Sequence, residues 1–218
     1  MKLLLTSSGI TNKSIAKTLF DLVGKKPEDT SLVFVPTASN IETEDKGWLI
    51  NDFNNVKNQN FKSVFITDIA TVPENIWKPQ MEAADILLFG GGNTYYLMEW
   101  INKSELAKIL PEFLKTKVYV GISAGSMVTN PDLDIRLDKM IYEDDVEGES
   151  MAGLNFVDFY FLPHLNSPHF SRRMEKNIRK ATKKYTRKIY ALDDQSALKV
   201  VDGKIDVVSE GKWLVVNE

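Results

Sequence analysis

The chain has 218 residues, 43% of them hydrophobic, and a formal net charge of −3. That size suits one domain or a compact pair; no linker points to two, so the chain reads as a single domain over 1–218, with a core large enough to need no staples. The near-balanced charge excludes a dedicated nucleic-acid or polybasic membrane surface, and the absence of cysteine excludes a thiol nucleophile, a thiolate metal site and any disulfide.

The opening run Lys2–Thr6 reads as a buried strand, with Ser7-Ser8-Gly9 as its loop. Its apolar part is too short for a signal core or a membrane span, so a cytoplasmic protein without membrane contact is expected. Ser14–Val23 has helical spacing and ends at Gly24, and Ser31–Val35 is a second strand stopped by Pro36. From Glu44 to about Val56, one helical face carries Trp48, Leu49, Phe53 and Val56. Phe61–Thr67 is a third strand, and Pro73 and Pro79 bracket a piece of ambiguous type.

Asp85–Phe89 is a fourth strand, apolar on both faces as parallel-sheet interiors are, and Gly90-Gly91-Gly92-Asn93-Thr94 follows at once. Thr94–Ile101 and Ser104–Leu114 read as helices, the second capped by Ser104. Lys117–Ile122 is a fifth strand. The alternation predicts a mostly parallel, doubly wound sheet, in which ligands sit beyond the carboxyl ends of the strands.

The second half changes character. Pro131–Glu149 is acidic and reads as a solvated loop or a flap over the crevice. Phe156–Leu162 is a strand ending at Pro163, and His164-Leu165-Asn166-Ser167-Pro168-His169-Phe170 comes next. Ser171–Tyr185 is a basic helix, a solvated face from which one early arginine could hold a carboxylate. Lys188–Leu192 is a strand leading to Asp193 and Asp194. The tail, Ala197–Val201, Ile205–Ser209 and Trp213–Asn217, reads as an antiparallel meander.

Chemistry concentrates at Gly121-Ile122-Ser123-Ala124-Gly125, where a strand pattern meets a helix start. Such a turn lifts a serine hydroxyl above the sheet edge, which makes Ser123 the candidate nucleophile. A serine needs a base, and the chain offers only His164 and His169. The base needs an acceptor, for which Asp194 at the end of the next strand and Asp138 in the acidic stretch are candidates. The Ala124 N–H comes with the turn as an oxyanion donor, and Gly92 can supply a second. The order Ser, His, Asp differs from the Ser, acid, His order of α/β-hydrolases.

Gly90-Gly91-Gly92-Asn93-Thr94, Gly121-Ile122-Ser123-Ala124-Gly125 and Pro168-His169-Phe170 together resemble the peptidase E family, the dipeptidase E and cyanophycinase group of serine peptidases. The resemblance implies a flavodoxin-like sheet related to class I glutamine amidotransferases. It implies Ser123 as nucleophile, His169 as base, and Gly92 with Ala124 as oxyanion donors. The third member is commonly a glutamate where Asp194 stands, and an acid equivalent to Asp138 has also been assigned; strand-end geometry favours Asp194. The implied substrate is a short peptide, cleaved after an N-terminal aspartate in dipeptidase E, with Asn93, Arg172 and Arg173 as substrate-binding candidates. No metal or cofactor is implied, and a homodimer is compatible with the resemblance. Two other readings keep the same crevice: an esterase or amidase on the same triad, and a catalytically silent small-molecule binding protein.

Overall fold

The computed structural model describes residues 1–141 and 149–217. Five strands run parallel: β1 (Lys2–Thr6), β2 (Ser31–Val35), β3 (Ser63–Ile66), β4 (Ile86–Phe89) and β5 (Val118–Ile122). Their spatial order is β1-β5-β4-β2-β3. Successive side chains on a strand point to opposite faces, so an all-apolar strand can serve two cores. Ile86, Leu88, Val118, Val120 and Ile122 pack on one face, against α1 (Lys13–Val23) and α2 (Gly47–Lys57). Leu87, Phe89 and Tyr119 pack on the other, against α3 (Glu74–Ala83), α4 (Thr94–Lys103) and α5 (Leu106–Phe113). Each such side chain, fully buried, contributes about 1.5–3 kcal/mol. The expected doubly wound sheet is therefore present, and its helices cover both faces.

Local signals set several element ends. Asn12 caps α1 by accepting from the Ile15 N–H, and Gly24 ends it in the left-handed region at φ 74°. The piece between the two prolines is helical, with Pro79 inside α3. Ser104 does not open α5 as expected. Its hydroxyl turns back to the Trp100 carbonyl (2.7 Å) and closes α4, while Glu105 makes the turn at φ 59°.

After β5 come α6 (Ala124–Met127), β6 (Asp132–Leu133), α7 (Ile135–Ile141) and β7 (Met151–Ala152), with β6 and β7 paired antiparallel. The start of the acidic stretch is thus not a solvated loop. Asp132 accepts from the Tyr160 hydroxyl at 2.8 Å, and Asp134 accepts from Arg136 and Tyr185. The flap reading for the remainder falls on 142–148, outside the described residues.

The expected strand at Phe156–Leu162 is confined to β8 (Tyr160–Leu162), and the expected basic helix is broken by extended backbone at Met174 (ψ 141°), leaving α8 (Glu175–Ala181). β9 (Ile189–Leu192) pairs parallel with β8. β10 (Ser196–Val201) adds antiparallel to β1, and β11 (Lys204–Ser209) adds to β10. β12 (Trp213–Val216) leaves this hairpin and pairs antiparallel with β9. The C-terminal strands are antiparallel as read, but the third belongs to a separate three-stranded sheet, β12-β9-β8. Among the described residues no helix is long and apolar enough to cross a membrane.

Candidate active site

The ladder of β5 ends where the Ser123 N–H donates to the Thr6 carbonyl at 3.0 Å. Ser123 then adopts φ 47° and ψ −107°, and α6 begins at the next residue. Holding a non-glycine residue there costs of order 1–3 kcal/mol, which surrounding contacts must offset. The two glycines of the motif explain how they do so. A Cβ on Gly125 would lie 2.1 Å from the Phe89 carbonyl oxygen, and one on Gly121 would lie 2.6 Å from the Ser126 Cα. Only glycine lets α6 fold back this closely onto the strands it leaves. Tyr119 secures the contact, stacked on Phe89 and donating its hydroxyl to the Gly125 carbonyl at 2.6 Å. Ser126 exchanges two 2.9 Å hydrogen bonds with the Thr6 backbone.

The imidazole that faces Ser123 is that of His164. Its Nε2 lies 3.1 Å from Ser123 Oγ, and its Nδ1 lies 2.6 Å from Asp194 Oδ1. Both partners come from strand ends, His164 after β8 and Asp194 after β9. His164 takes a left-handed turn at φ 63°, and its N–H donates to Ser7 Oγ, which in turn donates to the Leu192 carbonyl. Phe170 stacks on the ring, and the Arg173 guanidinium lies 4.6 Å from the Phe170 centroid. Burial pushes the His164 pKa below its ordinary value, with Arg173 adding to the effect and Asp194 opposing it. Burial works against the Asp194 carboxylate, but hydrogen bonds from His164 and Ser8 prevail and hold its pKa below the usual carboxylate range.

The ring that meets Ser123 is therefore not that of His169, which the resemblance implies as base. His169, from Pro168-His169-Phe170, is exposed, and among the described residues no hydrogen bond joins it to Ser123. The reason is local: left-handed turns at His164 and Asn166 reverse the chain just past Pro163, so the residue at the strand end meets the serine and the later one turns outward. Asp138 is buried elsewhere and accepts from the Tyr95 hydroxyl at 2.5 Å. Its pKa is pushed up to about 6, burial outweighing the Tyr95 hydrogen bond and the charge of Arg173.

The other candidates divide between the crevice and its supports. A Cβ on Gly91 would lie 3.4 Å from the Ser123 Cβ, which puts the glycine loop beside the hydroxyl. Gly92 sits at φ 124°, where a Cβ would strike the Ala38 carbonyl at 2.3 Å, so the loop packs against the end of β2. The Ala124 N–H, first in α6, has no intrahelical acceptor. Asn93, expected at the substrate, uses its side-chain oxygen to cap α4 through the Tyr96 N–H. Arg173 is 1% exposed and donates to the Pro163 carbonyl at 2.7 Å, and Arg172 donates to the Lys139 carbonyl. Both arginines thus brace the histidine loop and α7.

Sequence reasoning passed over two residues here. The Trp48 ring lies 3.7 Å from the place a Gly91 Cβ would occupy, and it is 37% exposed. One turn later Asp52 is buried, with Oδ1 3.9 Å from the equivalent position on Gly9. The signal was a charged residue inside the apolar face formed by Leu49, Phe53 and Val56.

The family model of peptidase family S51 matches residues 3–208. An uncharacterized peptidase of Pasteurella multocida is 26% identical over 156 residues, 69% of this chain and 72% of that one. Peptidase E of Shewanella oneidensis is 36% identical over 88 residues, 40% of this chain and 36% of its own length. A crystal structure from Listeria monocytogenes EGD-e superposes with a TM-score of 0.78 at 25% identity, covering 96% of this chain and 98% of that one.

Proposed function

The chain belongs to peptidase family S51, and within that family we propose that it is a serine exopeptidase of short peptides, working through Ser123, His164 and Asp194. One observation carries the reading: a single imidazole lies within hydrogen-bond reach of both a strained serine hydroxyl and a carboxylate. The preference for short peptides rests on the resemblance to the peptidase E family carried by Gly90–Thr94, Gly121–Gly125 and Pro168–Phe170. A cytoplasmic setting is part of the proposal, and it fits the absence of cysteine.

In the proposed reaction Ser123 Oγ attacks the scissile carbonyl carbon while His164 Nε2 takes the hydroxyl proton. The carbonyl oxygen becomes an oxyanion, received by the N–H groups of Ala124 and Gly92. Collapse breaks the C–N bond, and the imidazolium gives its proton to the leaving amine. Water then attacks the acyl-serine, its proton passing through His164 back to Ser123 Oγ as the acid departs. Asp194 holds the Nδ1–H tautomer and stabilises the imidazolium between these transfers. Aspartyl specificity is not part of the proposal, because the hydrogen bonds of Arg172 and Arg173 described above run to backbone carbonyls.

The test compares wild type with Ser123→Ala on a dipeptide panel, together with labelling by a fluorophosphonate. Loss of turnover and of label in the variant is expected. Undiminished turnover in Ser123→Ala would remove the proposed mechanism.

A further inference from the structure

The proposed triad makes no use of Asp52. This carboxylate is 7% exposed on α2, and among the described residues no hydrogen bond or ion pair reaches it. A buried carboxylate in that state is costly, and folded proteins ordinarily pair such groups. Its surroundings lie at the carboxyl ends of β1 and β5. Asp52 Oδ1 approaches Gly9, in the loop after β1, and a Cβ on Gly9 would itself lie 2.9 Å from Ile122 Cδ1, the side chain just before Ser123. Trp48, one helical turn away on the same face, borders Gly91 and through it Ser123. The exposed indole and the carboxylate thus share α2, the first bordering the Gly91 loop beside Ser123 and the second the loop after β1.

We propose that Asp52 receives an ammonium group of the substrate, so that the enzyme selects peptides by a positive charge placed next to the scissile bond. The assignment rests on the peptidase reading above and adds a specificity-determining residue to it. Three observations favour a cation over other ligands. Among the described residues the carboxylate has no protein partner, and burial pushes its pKa up to about 7. An arriving ammonium supplies both the missing donors and the missing charge. The half-exposed Trp48 face offers a second attraction for the same group. Two sources share this chemistry, the α-amine of the N-terminal residue and a lysine side chain at that residue.

The experiment uses the full chain and begins with fluorophosphonate labelling of Ser123. Three chromogenic anilides are then compared: alanyl, N-acetyl-alanyl and N-acetyl-lysyl. If the α-amine is the ligand, the free alanyl substrate exceeds its acetylated form by at least about tenfold in kcat/KM. If the side chain is the ligand, N-acetyl-lysyl exceeds N-acetyl-alanyl by that factor. In Asp52→Asn the advantage shrinks to less than about threefold, mainly through KM, while the labelling rate stays within about twofold. Asp52→Glu recovers part of it. Absence of either advantage in wild type overturns the assignment without any variant, as does an advantage that survives in Asp52→Asn, or an equal loss on all three substrates. Failure of wild type to label at Ser123 would instead remove the serine-peptidase mechanism, so the two failures are distinguishable.

Discussion

The Phe170 ring lies parallel to the His164 imidazole within 24°, with centroids 4.9 Å apart. Hydrogen bonds fix both nitrogens of the imidazole, and the stack fixes its plane. Orientation matters because a small displacement of a proton-transfer group costs rate, not binding. Phe170→Ala is therefore expected to lower kcat by about 10–100-fold with KM nearly unchanged, and Phe170→Tyr is expected to retain most of the activity. Steady-state kinetics on one dipeptide decides this, and an unchanged kcat in Phe170→Ala would show that the stack is ornamental.

The two histidines make a paired test. His164→Gln is expected to reduce kcat by about 10²–10⁴, the usual range for loss of general acid–base assistance. His169→Gln, at an exposed position, should remain within about threefold of wild type. The opposite ranking would restore the assignment that the Pro168-His169-Phe170 motif suggested.

The pH dependence follows from the direction of the His164 shift. Only the neutral imidazole accepts the Ser123 proton, so kcat/KM should rise with pH through the His164 pKa. Burial lowers that pKa, so the rising limb should have its midpoint below about 6.5. Asp194→Asn removes the acceptor at Nδ1 and should lower kcat by about 10²–10⁴. A pH profile on wild type checks the first statement, and a midpoint at or above the ordinary histidine value contradicts it.

Asp52 has a stability signature of its own. Its folded pKa is raised, so the folded state is favoured by the bound proton, and stability declines as pH rises from about 4 to about 7. From 3.8 to about 7, at about 1.4 kcal/mol per pH unit, the loss reaches roughly 4 kcal/mol. Asp52→Asn escapes it. The variant is expected to exceed wild type by up to about 4 kcal/mol at pH 8 and to gain nothing at pH 4. Urea titrations at the two pH values measure the difference, and equal stability at pH 8 would mean that Asp52 is not buried alone.

The parallel half of the fold was legible because buried strands are written as short apolar runs and their loops as glycine, serine and asparagine. Ile86–Phe89 followed by three glycines, and Val118–Ile122 followed by Ser123, each declared a strand and the crevice beyond it. Asp194 was legible for the same reason, since the end of Lys188–Leu192 fixes where it emerges. The base was not. His164 and His169 occupy one loop, and which ring meets the serine depends on two left-handed residues and on the hydrogen bond from Leu165 N–H to the Leu192 carbonyl. Those choices are made by packing against another strand, which local sequence does not record. The same holds for β12, whose composition marks a strand but not the partner it selects. Asp52 lay in plain view as a charge in an apolar stripe, but its isolation appears only once the neighbouring loop is in place.

The pairing of β12 with β9 has a bearing on how the molecule is born. Trp213 lies opposite Leu192, and the Lys212 N–H and carbonyl both bond Asp193, immediately before Asp194, whose carboxylate bonds His164. A ribosome delivers Ser123 first and the strand that steadies its acid much later. On the proposed mechanism, the serine gains its fully supported partners only once residues 213–216 have docked. On the same mechanism, removing β12 is expected to loosen Asp193 and with it Asp194, lowering activity without touching a reacting atom.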